Sequence, residues 1–475
     1  MTLATLVIAG ALAGLFFVLP LPMWLCIVPA VMAVVWWERC VEAGLVLMTL
    51  CSSWAVFSIR IPGLFSNARL PMVIVPAITI ITGLGIMVRL TRNSRLKVFN
   101  AGTDVPVIVF LTLTLASSVV AWSSQRPPAM FKAYILSLAL YLTCFGAYWT
   151  TACLVRSKRE EGQCLLKLLI IALFLSAAPV AVMEFIGLGE AGGEVKYGQD
   201  IDGFLGGGFL GCYWVLVLSV AIGLLIKMRS VVIRAALAVV IAAGTAGLVI
   251  PYARAAWVGM GVAFTTILFR LKKTYCAMFL AACCLFLLWN PVWEAMLDTF
   301  TNRKIEGTYS RLRLWSAGIE IIRENPVIGV GPGNFGIFSS ASRGPVRSSH
   351  NNYIEFAVES GVLAPIAIAA FLIVVWFAVS RVSNSHESPL ISGTALGIVG
   401  ALTGIAAASA FGDFLLPVRS NAGYVSISGS IYLWIFLGFV VGIRCRMRDK
   451  SDMPLAEKAA GQEEAGPQSQ SDWEE

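Results

Sequence analysis

The sequence predicts an all-α polytopic membrane protein with about 12 to 14 transmembrane helices and one large extracytoplasmic loop carrying short helices. Three observations carry that reading. Of 475 residues 58% are hydrophobic and only 13% charged, whereas a soluble domain has about 25% charged residues. Apolar blocks of about 20 residues, the length needed to cross the hydrocarbon core, recur along the chain. One long polar stretch, between Trp289 and Val362, interrupts them.

Taken in order, the candidate spans are 3–19, 23–37, 43–59, 71–88, 105–122, 131–150, 164–188, 209–226, 231–250, 252–269, 275–289, 361–379, 390–411 and 425–443. The first two are short and parted only by Pro20-Leu21-Pro22, so they form either a tight hairpin or a re-entrant pair. Met1–Leu19 lacks a positively charged n-region and reads as a retained helix rather than a cleaved signal. The chain divides into an N-terminal bundle (1–289), a catalytic loop (290–360), C-terminal helices (361–443) and a disordered tail (444–475). From Asp449 to Glu475 that tail is polar, rich in Glu, Gln, Ser and Gly, and shows no apolar periodicity.

Charge placement sets the expected orientation. Alternate loops hold Arg89, Arg92, Arg95 and Lys97; Arg156, Lys158 and Arg159; Lys227, Arg229 and Arg234; Arg270, Lys272 and Lys273; and Arg444, Arg446 and Arg448. The opposite loops are poor in Lys and Arg, and 190–202 is acidic. By the positive-inside rule the basic set is cytoplasmic and the loop holding His350 is outside. The net charge of +8 therefore reflects topology rather than a nucleic-acid partner. The eleven cysteines fall mostly in apolar blocks without CxxC or Cys/His ligand spacing, which supports neither a disulfide scaffold nor a metal site.

The polar stretch concentrates the chemistry. Leu312, Trp315, Ile319 and Ile322 form a one-sided stripe at helical spacing, suited to a helix on the membrane interface that Asn325-Pro326 ends. Arg311 and Arg313 sit in its first turn. Such guanidiniums grip phosphate oxygens in a fork, or else merely snorkel to the interface. Gly329–Phe335 (GVGPGNF) brings amides toward an anion or is a plain tight turn. Asn352 and Glu355 resemble an N-capping box. They would place His350, one of two histidines, before a helix N-terminus that disfavours imidazolium and keeps the ring a proton acceptor. Arg254, at the outer end of an apolar span, is a functional candidate by its depth, with snorkelling as the alternative.

Together these pieces resemble the O-antigen ligase and polymerase superfamily of bacterial envelope glycosyltransferases. The resemblance rests on Tyr252-Ala-Arg-Ala-Ala-Trp257, Ser310-Arg-Leu-Arg-Leu-Trp315, Asn325–Phe335, His350-Asn-Asn-Tyr-Ile-Glu355 and Glu359-Ser-Gly361. The chain departs from the family at Ala253, where serine often stands. The resemblance implies metal-independent, cofactor-free transfer of a glycan from undecaprenyl diphosphate to an acceptor sugar at the outer face of a bacterial inner membrane. The acceptor is lipid A–core in ligases and the growing glycan in polymerases. It implies that Arg254 and Arg311 hold the diphosphate and that His350 activates the acceptor hydroxyl. Arg313, Arg347, Asn351, Tyr353 and Glu359, in or beside these motifs, are expected to contact substrate. A polysaccharide or lipid transporter is the rival from another class. It is disfavoured because few charges other than Arg254 and Glu184 lie in the apolar spans.

Overall fold

The computed structural model describes residues 41–54, 78–85, 102–123, 128–157, 162–190, 207–249, 254–288, 305–343, 348–385, 387–418 and 427–451. Its helices are α1 (Val41–Trp54), α2 (Asp104–Ser123), α3 (Pro128–Ser157), α4 (Gly162–Glu190), α5 (Gly207–Lys227), α6 (Val231–Val249), α7 (Arg254–Leu271) and α8 (Lys273–Leu288). They continue with α9 (Ile305–Glu324), α10 (Phe335–Arg343), α11 (Asn352–Ser360), α12 (Leu363–Ser383), α13 (Pro389–Ala408) and α14 (Ile427–Ser451). Residues 78–85 are helical as well. Within the described residues each predicted span from 43–59 onward coincides with helix, differing mainly at the ends, where helices fray; 55–59, 71–77 and 86–88 lie outside the described residues. The spans at 3–19 and 23–37, the acidic segment 191–202 and the tail from 452 to 475 lie outside the described residues. Residues 444–451, expected as the start of a disordered tail, instead continue α14 as helix, held there by the Arg156–Asp449 pair. Among the described residues six helical stretches are long and apolar enough to cross a membrane, and three more are shorter and apolar. The protein is an all-α polytopic membrane protein.

The centre of the bundle is α13, whose sequence supplies a ladder of glycines. A methyl group added at Gly397 would collide with the Ser219 backbone of α5, and one at Gly404 with the Gly259 backbone of α7. In a bilayer, where neighbouring lipid is as apolar as any side chain, helices associate through such close backbone contact rather than through hydrophobic exclusion. On α14, Gly438 and Gly442 make the same kind of approach to α3 at Tyr148 and Ala152. Aromatic side chains fill the remaining space: Trp434 lies 4.9 Å from Phe145 and 5.3 Å from Phe371, ring centre to ring centre.

The polar stretch builds a second, smaller core. Ile321 of α9, Val330, Phe335 of α10 and Val358 of α11 are buried together, with Leu314, Ile322, Phe338 and Ile354 around them. Leu312 and Ile319 of the predicted stripe are instead exposed, at 53% and 45%. The face that α9 gives to the protein is thus centred on Leu314, Gly318 and Ile321, with Ile322 and Trp315 of the predicted stripe still engaged and only Leu312 and Ile319 on the outer flank. Phe356 points the other way from Ile354 and Val358 and stacks edge-on against Phe110, 5.3 Å away in the bundle core. In this way α11 rivets the outer subdomain to the membrane helices.

The far end of the bundle gathers the basic residues. Arg156 at the end of α3 forks onto Asp449 of α14 at 2.9 and 3.0 Å. Arg270 at the end of α7 donates to the Ser380 carbonyl of α12 at 2.9 Å, and Lys227 of α5 meets Gly393 at the start of α13. Arg254 begins α7 and Arg270 nearly ends it, about 24 Å apart along the axis. A reporter active only outside the cytoplasm is therefore expected to work when fused after Arg343 and to fail after Lys273. The reverse pattern would overturn the expected orientation.

Candidate active site

His350 stands in a short segment held by hydrogen bonds from three sides. Its φ of 51° is the only positive value of a non-glycine residue among the described residues. Such a conformation costs on the order of 1–3 kcal/mol and persists only where the surroundings over-determine it. Here they do. The His350 N–H donates to Ser348 Oγ at 3.0 Å, and that hydroxyl donates to Asp413 Oδ2 at 2.7 Å. The peptide before His350 is fixed at both ends: Ser349 N–H donates to Glu355 Oε2 at 2.8 Å, and the Ser349 carbonyl accepts Trp315 Nε1–H at 3.1 Å. The tryptophan of the arginine motif on α9 thereby sets the position of the histidine loop.

The helix after His350 exists as expected, but its cap is one residue earlier. Asn351 is the N-cap, its side-chain oxygen accepting the N–H groups of Tyr353 and Ile354 at 3.0 and 3.2 Å. Glu355 does not close a capping box, because its carboxyl reaches past the cap to Ser349. Asn352 is drawn away into the bundle, where its side chain bonds Leu415 N–H at 2.9 Å and the Leu416 carbonyl at 3.0 Å. Glu355 is fully buried and one oxygen, Oε1, has no hydrogen-bond partner. Burial first, then the nearby Glu359 and Asp413 carboxyls, push its pKa well above the usual carboxylate range.

The cationic residues separate by helical phase. Arg311 and Arg313 lie two positions apart, about 200° around α9, so only one of them faces the protein. That one is Arg311, half-buried, while Arg313 is exposed. Burial lowers the Arg311 pKa, the Arg254 guanidinium lowers it further, and Asp413 opposes both. The His350 imidazole, with its side chain 39% exposed, is likewise held below its ordinary pKa by burial. Asp413 pulls its pKa up and Arg311 pushes it down. His350 Nδ1 lies 3.9 Å from Asp413 Oδ2, outside hydrogen-bond length but at ion-pair range. Arg254, Arg311, His350 and Asp413 thus act on one another at one end of the bundle. The arrangement sets a neutral imidazole between a buried carboxylate and a pair of like charges.

The other expected contacts fall differently. Tyr353 donates its hydroxyl to the Ala406 carbonyl at 2.8 Å, and burial pushes its pKa up to about 12. Glu359 is buried and accepts Gly333 N–H at 2.6 Å and the Tyr141 hydroxyl at 3.5 Å. The polar atoms of Asn351, Tyr353 and Glu359 described here are engaged within the fold. Arg347 lies outside the described residues. The glycine-rich loop is a tight turn: Val330 and Gly331 give their amides to the Val358 and Glu359 carbonyls at 2.9 and 3.0 Å. Gly329, with φ of 74°, permits this, since a side chain there would strike the α11 backbone. Sequence reasoning missed Asp413, a lone carboxylate between two apolar spans. Among the described residues no cluster of three or more His, Cys, Asp or Glu could hold a metal.

None of the curated proteins matches the chain in sequence. A family model described as Wzy_C, O-antigen ligase, matches residues 206–369, a stretch that contains Arg254, Arg311 and His350 and ends before Asp413. The segment from α5 into α12 is thus similar to an O-antigen ligase domain, in keeping with the resemblance that the motifs around Arg254, Arg311 and His350 carry.

Proposed function

We propose that the protein is an inverting glycosyltransferase of the bacterial inner membrane. On this reading it moves a glycan from undecaprenyl diphosphate to a sugar hydroxyl of lipid A–core on the periplasmic side. The observation that carries the reading is the mutual influence of His350, Asp413, Arg311 and Arg254 at the end of the bundle opposite the basic loops. Its neutral imidazole accepts the proton of the acceptor hydroxyl as that oxygen bonds to the anomeric carbon. Asp413, on the Nδ1 side, stabilises the imidazolium that forms. The bond from the anomeric carbon to the diphosphate oxygen breaks on the opposite face, so the configuration inverts. Arg254 and Arg311 hold the leaving diphosphate by charge and fork geometry, which serves where charge develops. Ser348, Trp315 and Glu355 position the base through the Ser349 peptide.

The acceptor is tested in proteoliposomes supplied with undecaprenyl-diphosphate-linked glycan and either lipid A–core or a second lipid-linked glycan. Glycan is expected on lipid A–core. Lengthening of the lipid-linked glycan instead would make the protein a polymerase. Movement of the donor across the bilayer without any new glycosidic bond would support the transporter reading and sink this one.

A further inference from the structure

Beneath Arg254 an apolar groove of about 430 Å³ runs down the lipid-facing side of the bundle, lined by residues of α6, α7 and α8. Its upper part lies at Leu248 and Trp257, joined by a 2.9 Å hydrogen bond from Trp257 Nε1 to the Leu248 carbonyl. Its floor is Phe264 against Phe279, with ring centres 4.9 Å apart. Helical phase ties the groove to the charge. At about 100° per residue, Gly261 falls within roughly 20° of Arg254 and about 10 Å below it. Trp257 and Phe264 belong to the same side, whereas the buried face of α7 is Ala256, Gly259, Ala263 and Ile267. A ligand that fits here has an anionic head at the arginine and an apolar chain directed toward the middle of the bilayer.

We propose that this groove seats the isoprenoid chain of the lipid diphosphate donor, with the diphosphate at Arg254; the assignment rests on the functional reading above. Bilayer lipid is as apolar as the groove, so the chain gains little from hydrophobic transfer. What the groove supplies is registration. It fixes where the chain enters and so where the scissile bond lies relative to His350, and misplacement by about 1 Å costs on the order of a hundredfold in rate. An ordinary anionic phospholipid shares the head charge, and the experiment separates the two.

Gly261 gives a direct test, because a Cβ added there meets nothing within 4 Å. A bulky side chain at 261 fills the groove without disturbing the helix packing. Full-length protein in nanodiscs is compared with Gly261→Phe and the graded variant Gly261→Leu. The donors carry one glycan on either an undecaprenyl chain or a geranyl chain too short to reach the floor. The ratio of kcat/KM for the long over the short donor is expected to fall about tenfold in Gly261→Phe, because the filled groove no longer registers the long chain against His350. It should fall less in Gly261→Leu. An unchanged ratio in both variants overturns the proposal.

A photoreactive undecaprenyl diphosphate gives a readout independent of turnover. Its crosslinks are expected on Trp257, Met260 or Phe264, and labelling elsewhere overturns the proposal. Displacement of that label by phosphatidylglycerol as readily as by unlabelled undecaprenyl diphosphate also overturns it, since the groove would then hold bulk lipid. Crosslinking in the groove by a protein that transfers no glycan would support the groove and sink the functional reading alone.

Discussion

Replacement of His350 by alanine is expected to reduce glycan transfer by about 10²–10⁴-fold, the usual worth of general-base assistance, at unchanged protein abundance and with undecaprenyl-linked glycan accumulating. The change removes the only base placed by the Ser348–Asp413 and Ser349–Trp315 contacts. A packing loss at a partly exposed side chain would be far smaller, within about 0.5 kcal/mol for most surface positions. His386→Ala, the control at the other histidine, should be near neutral. The acid limb of the pH profile gives a second readout. The working form is unprotonated, so activity falls as pH drops through the imidazole pKa. That pKa lies below its ordinary 6.5 because of burial first and Arg311 next. Rates should therefore hold from neutral pH to about 6.5 and decline only below it. Asp413→Asn removes an influence that raises this pKa, so the limb should move to still lower pH while the rate falls. Near-normal transfer by His350→Ala would show that histidine base catalysis is wrong.

The second large effect is expected at the arginines. Arg254→Ala and Arg311→Ala should each lower transfer by about 10²–10³-fold, the scale for removing one group that stabilises developing negative charge. Lysine should rescue only partly, because it keeps the charge and loses the fork. Stability should move the other way. Burial lowers the Arg311 pKa first, and repulsion from the Arg254 guanidinium lowers it further. Removing either guanidinium relieves that repulsion, so the melting temperature of the variant in detergent should match or exceed that of the wild type. A structural arginine would give a lower one. Full activity of Arg254→Ala would assign that residue to snorkelling at the interface.

Much of the architecture was legible in the chain because membrane insertion is read locally. A run of about 20 apolar residues must close its own backbone hydrogen bonds as a helix, whatever it packs against. The spans at 105–122 and 231–250 accordingly match α2 and α6 closely. His350 and Arg311 could be singled out as candidates because few polar groups of their kind occur outside the short loops. Their separate roles could not be read from spacing: Arg311 and Arg313 look alike in sequence, and only the packing of α9 through Leu314 and Gly318 turns one inward and leaves the other exposed.

What the sequence by itself determined was therefore the helical membrane class, the approximate spans and the loop in which polar chemistry concentrates. Tertiary structure alone decided what surrounds His350. Asp413 lies 63 residues downstream of it and approaches only because α12 and α13 run down the bundle and back, returning the chain to the outer subdomain at Ser409. There the Ser409 carbonyl accepts Asn352 N–H at 3.0 Å. Glu355 looked like a local cap, yet its preferred donor is the Ser349 amide that the strained histidine turn presents. A capping motif is a local signal, and the stronger demand of a buried amide two residues beyond the cap overrode it. The glycine-rich loop resolved in the same way. Its amides satisfy carbonyls at the end of α11, a choice that depends on where a distant helix ends and that no local pattern encodes.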